Sequence, residues 1–91
     1  MENRATRAVI RGNVQGVGYR WATRVEAERL GVTGSVRNRT DGAVEVVVDG
    51  TDAAASALLS WLNDGPPGAT VSSVELEDAA PTGGPSFEIL R

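Results

Sequence analysis

The residues best suited to chemistry form one run, Gly12-Asn13-Val14-Gln15-Gly16-Val17-Gly18-Tyr19-Arg20. Glycines at 12, 16 and 18 let a backbone turn sharply and come close to a ligand. The run links an expected strand to an expected helix, and the N–H groups that open a helix have no internal partner. Aimed inward, they make an anion cradle at the positive end of the helix. Arg20 adds a planar, permanently charged fork that fits phosphate oxygens. The run lacks the Gly-Lys-Ser/Thr of a nucleotide P-loop, and its glycine spacing is not that of a dinucleotide fingerprint. On spacing alone, a tight turn with a solvated arginine is an equally good reading. A second polar residue, Asn38, stands near the end of another expected strand. Its amide can donate to phosphate and accept from a water, although asparagine before a hairpin also serves as a turn residue.

Absent residue types narrow the chemistry. The chain has no histidine and no cysteine, and all nine of its basic residues are arginines. That removes a cysteinyl or histidyl phosphoenzyme, an imidazole base and a lysine Schiff base. The usual zinc ligands are missing as well. A carboxylate-only magnesium site stays open, because there are 12 acidic residues. The net charge of −3 makes a poor non-specific nucleic-acid binder. Any anion must therefore be captured by a local feature.

Several elements are needed to position these residues. The chain of 91 residues suits one domain spanning 1–91. Alternation predicts a strand over Arg7–Gly12, with Ala8 and Ile10 on one side and Arg7, Val9 and Arg11 on the other. A helix is expected from Tyr19 to Leu30, stopped by Gly31. Tyr19, Thr23, Ala27 and Leu30 make its apolar stripe, while Trp21 and Val25 form a separate pair. Strands follow over Val32–Arg39 and Ala43–Asp49, joined by a two-residue hairpin signal at Asp41-Gly42. Thr51 or Asp52 caps a second helix running to about Asn63, with Ala54, Ala55, Leu58, Trp61 and Leu62 facing inward. A fourth strand is expected over Val71–Glu77, a loop over Asp78–Pro85 and a short last strand over Ser86–Arg91. This order is an α+β, ferredoxin-like βαββαβ sandwich: an antiparallel sheet, two helices on one face and a short C-terminal strand. The plan hosts many functions, so it decides none.

The glycine run resembles the first signature of the acylphosphatase family. Gly34-Ser35-Val36-Arg37-Asn38-Arg39-Thr40-Asp41-Gly42-Ala43-Val44, with Gly50 further on, resembles the second. The likeness extends to the Gly65-Pro66-Pro67-Gly68 turn and the Phe87-Glu88-Ile89 ending. One departure is Ser35, where the family usually carries an aromatic residue; it bears on packing more than on chemistry. The resemblance implies that Arg20 binds phosphate and Asn38 positions a water. It further implies that Gln15, Gly16, Val17, Gly18, Tyr19 and Arg20 hold the substrate.

Such a site suits an acyl phosphate. An alkyl phosphate departs as an alkoxide, which calls for a metal or a positioned acid. An acyl phosphate departs as a carboxylate, whose conjugate acid has a pKa near ~4. One arginine, a ring of amides and one asparagine are then enough, with no metal and no cofactor. The expected partners are small acyl phosphates, with inorganic phosphate as product and inhibitor. A cytoplasmic monomer without nucleic-acid or membrane contacts is expected, since the first six residues are polar and no apolar run approaches a bilayer's width. An RNA-binding module of the same layout would stack bases on sheet aromatics, which Ala43–Val48 lacks. A ferredoxin-like metal carrier would need a cysteine pair. A ligand-sensing or maturation domain within a larger machine is the remaining rival.

Overall fold

The computed structural model describes residues 5–81 and 84–90. Five strands and two helices alternate along the chain: β1 (Ala5–Asn13), α1 (Tyr19–Leu30), β2 (Thr33–Asn38), β3 (Val44–Asp49), α2 (Asp52–Leu62), β4 (Thr70–Ala79) and β5 (Phe87–Ile89). The strands form one sheet in the order β4-β1-β3-β2-β5. The three pairings among β1 to β4 are antiparallel, as the ferredoxin-like plan requires. The short β5 adds to the β2 edge in parallel, so the complete sheet is mixed.

Period-two alternation sends Ala8 and Ile10 of β1, Val36 of β2 and Val44, Val46 and Val48 of β3 to one face. Tyr19, Thr23 and Ala27 of α1 and Leu58 and Leu62 of α2 meet them there, and all are buried. Leu30, Ala54, Ala55 and Trp61 pack at the margin of this core. Trp21 and Val25 face away from it, 63% and 46% exposed. The opposite face of the sheet carries charge. Arg7 pairs with Glu77 at 2.7 Å, Arg11 with Glu75 at 3.1 Å, and Arg37 and Arg39 with Glu45 at 3.2 and 3.4 Å. Exposed pairs of this kind contribute little stability each, but they keep the open face polar.

Two expectations change. The fourth strand runs to Ala79 rather than Glu77, because β1 starts at Ala5 and supplies ladder partners throughout. Thr6 pairs with Asp78 and Ala5 with Ala79, so Asp78 leaves the expected loop. The Asp41-Gly42 hairpin is also not a two-residue turn. The favoured turns of that kind need positive φ at the first central residue, and Asp41 lacks it; only Gly42 has it, at 92°. Instead Gly42 N donates to Arg39 O at 3.3 Å and Arg39 N to Ala43 O at 2.8 Å, closing a wider loop. The last strand ends at Ile89. Arg91, which the pattern assigns to it, lies outside the described residues, as do residues 1–4, whose polarity enters the expected location. Ser35 is half-buried on the open face, opposite Val47 and Glu88. A shallow hollow lined by Gly34, Ser35, Gly84, Ser86, Glu88 and Leu90 lies beside it, where a larger side chain would find room.

Candidate active site

The glycine run becomes the turn between β1 and α1. Gly16 and Gly18 take φ of 78° and 77°, a left-handed conformation that other residues adopt only with strain. A Cβ at either would meet no protein atom within 4 Å, so conformation rather than crowding demands glycine here. Left-handed glycines alternating with ordinary residues give the backbone habit that turns successive N–H groups to one side. Gly18 is also the N-cap of α1 and has no side chain with which to cap it. The first intrahelical bond is Ala22 N to Gly18 O, at 3.0 Å. The N–H groups of Tyr19, Arg20 and Trp21 precede it and have no helical acceptor.

Arg20 stands in this first turn. A cation at a helix N-terminus opposes the helix dipole, typically by ~0.3–1 kcal/mol, and the first turn of α1 holds no acidic residue to offset it. Arg20 Nη1 donates to Leu90 O at 3.3 Å, which ties the side chain to the segment after β5. Every other arginine among the described residues pairs with a carboxylate; Arg20 does not. Among the described residues, then, Arg20 has no carboxylate partner and stands beside uncapped amides.

Asn38 ends β2, in step with buried Val36. The end of β2 meets the β1–α1 turn, where Gln15 Nε2 donates to the carbonyl of Arg39, the residue after Asn38. One cleft is lined by Gly16, Gly18, Tyr19, Arg20, Trp21, Asn38 and Ile89. Residues 18 positions apart in sequence, Arg20 and Asn38, thereby share a cavity.

The other expected contacts divide. Tyr19 is 1% exposed and its hydroxyl donates to Leu62 O at 2.6 Å, fixing the start of α1 to the end of α2. Burial pushes its phenol well above the ordinary range. Val17 packs against the core. The Gln15 side chain turns away from the cleft: Nε2 donates to Arg39 O and to Ala43 O, both at 2.9 Å. It clamps the turn to the β2–β3 loop directly after Asn38. Asp41 strengthens that loop by accepting from Ala43 N at 3.1 Å, and this bond, with Arg39 and Arg11 nearby, lowers its carboxyl pKa. Sequence patterning assigned no site role to Trp21 or Ile89; the one available signal was an aromatic residue directly after the candidate arginine. No group of three or more metal-ligating side chains occurs among the described residues. No helix among them is long and apolar enough to cross a membrane.

The acylphosphatase family profile matches residues 6–89. An acylphosphatase from Azoarcus sp. is 51% identical over 81 residues, covering 89% of this chain and 83% of that one. The crystal structure of acylphosphatase from Bacillus subtilis superposes with a TM-score of 0.92 at 29% identity, covering 97% of this chain and 99% of that one. An acylphosphatase from Coxiella burnetii superposes at 0.91 with 35% identity, covering 97% and 93%. Match length, sequence identity and close superposition lead to one conclusion: this chain belongs to the acylphosphatase family.

Proposed function

We propose that the protein hydrolyses the carboxyl–phosphate anhydride of acyl phosphates by direct attack of water on phosphorus, without a metal, a cofactor or a covalent intermediate. The observation that carries this reading is the Arg20 guanidinium, without a carboxylate partner among the described residues, at the uncapped start of α1 and in one cleft with Asn38. In this mechanism the phosphoryl oxygens sit against the main-chain N–H groups of residues 15–20 and the Arg20 fork. Asn38 accepts from the attacking water and holds it in line with phosphorus. The water oxygen forms its bond to phosphorus as the acyl oxygen leaves with the shared electron pair. The products are a carboxylate and inorganic phosphate. The water's proton passes to a phosphoryl oxygen, since none of the described lining residues is a base at neutral pH. The leaving carboxylate needs no proton, which suits a cleft without an acid. Inorganic phosphate occupies the same cradle as product and competitive inhibitor. The same reading has residues 1–91 act as one domain, as a monomer in the cytoplasm.

Purified protein treated with EDTA should hydrolyse acetyl phosphate well above the spontaneous rate and leave phenyl phosphate almost untouched. Activity that vanishes with EDTA and returns with magnesium would overturn the metal-free mechanism. Equal turnover of both substrates would overturn the argument from the leaving group.

A further inference from the structure

Trp21 is the most exposed large apolar side chain among the described residues, at 63%. It is one residue beyond Arg20 and lines the same cleft, together with Ile89. The Arg24 guanidinium lies 6.0 Å from the centre of the Trp21 ring, and Arg24 is itself held by Glu28 at 3.5 Å. The indole is thus braced by its own helix while much of its surface stays in water. Val25, the other exposed apolar residue of α1, is not part of the cleft.

We propose that Trp21, with Ile89, forms the subsite for the acyl group, and that it selects aryl and bulky apolar acyl phosphates over acetyl phosphate. The proposal rests on the hydrolase reading of the cleft. In-line attack places water, phosphorus and the leaving oxygen on one axis. With the water at Asn38 and the phosphoryl group at the turn, the acyl group must extend away from Asn38. The described lining side chains not used by phosphate or water are Tyr19, which is buried, and the two apolar residues Trp21 and Ile89. Among the described residues, Arg20 is the only charged one lining the cleft, and the phosphoryl group engages it. A second carboxylate or phosphate on the acyl group would meet an aromatic face, with Arg24 already committed to Glu28 and the indole. An aryl ring instead covers exposed indole, gaining area burial and ring stacking.

The test compares benzoyl phosphate with acetyl phosphate, each corrected for spontaneous hydrolysis, on the wild-type protein, Trp21→Ala and Trp21→Phe. The readout is the ratio of kcat/KM for the two substrates, which cancels any common effect on phosphate binding. Trp21→Ala should lower the benzoyl-to-acetyl ratio about tenfold, a change of ~1.4 kcal/mol, and Trp21→Phe should retain most of it. Should alanine disturb the helix, Trp21→Gln, a good helix former, should lower the ratio in the same direction. A ratio that stays within twofold in folded Trp21→Ala would refute the subsite, whether both rates fall together or neither falls. A wild-type protein that hydrolyses neither substrate would refute the hydrolase reading itself, and the subsite with it.

Discussion

Tyr19 should make this protein's stability fall steeply in alkali. It is the only tyrosine, and the chain has no lysine and no cysteine. The arginines keep their charge beyond pH ~12. Between about pH 9 and 12, Tyr19 is therefore the one side chain whose charge can change. In the folded protein its ring is 1% exposed and its hydroxyl donates to Leu62 O at 2.6 Å. Burial raises its pKa far above the ordinary value, whereas the unfolded chain loses that proton near pH ~10. Above pH ~10 the unfolded state binds fewer protons than the folded one, so stability falls as pH rises. The full contribution is present below that pH. The limiting slope is about 1.4 kcal/mol per pH unit, or about 2 kcal/mol between pH 10 and 11.5. Tyr19→Phe removes the titration but leaves a carbonyl in the last turn of α2 without its donor, which should cost about 1–3 kcal/mol at neutral pH. Urea unfolding of both proteins from pH 7 to 11.5 measures both effects. The wild type should start higher and decline, while Tyr19→Phe should start lower and stay nearly level. A flat wild-type profile, or the same alkaline slope in both proteins, would refute the buried-phenol argument.

Gln15→Leu removes two donors from carbonyls that each keep one other main-chain partner. It should cost roughly 2 kcal/mol by urea unfolding and lower kcat about tenfold through a loosened Asn38; unchanged kcat would mean the clamp does not position the site. Arg20→Ala should damage KM and kcat for acetyl phosphate together, and Arg20→Lys should recover little, because an ammonium lacks the planar two-pronged contact. A lysine variant with near wild-type kcat/KM would contradict the fork.

Elements whose cause is local could be read from sequence. Tyr19–Leu30 carries its stripe, its left-handed glycine N-cap and its Gly31 stop within the 14 residues from Gly18 to Gly31, and its bounds agree. Thr51 caps α2 through Ala54 N at 3.2 Å, as its type suggests. The ends of β1 and β4 could not be read, because Ala5, Thr6, Asp78 and Ala79 are strand residues only through one another. Likewise Asp41-Gly42 looks like a two-residue turn until Arg39 N and Ala43 O close the wider loop. Within the site, Arg20 and Asn38 stood out by type and motif, and the fold brings them to one cleft. The Gln15 clamp depends on carbonyls 24 and 28 residues away, whose direction no local pattern encodes. Trp21 read only as half of a separate pair with Val25, since Ile89, which lines the same cleft, lies 68 residues further along the chain.

The account turns on a water held by Asn38 with no metal to activate it. The most direct measurement is kcat for acetyl phosphate, in EDTA, of wild-type and folded Asn38→Ala protein, with the inhibition constant of inorganic phosphate measured alongside. Losing the amide that orients the nucleophile should lower kcat about a hundredfold, ~3 kcal/mol, by analogy with loss of a catalytic hydrogen-bonding group. Phosphate inhibition should shift far less, because the turn and Arg20 remain. An Asn38→Ala protein with near wild-type kcat would contradict the account, leaving Asn38 as a residue that merely ends β2.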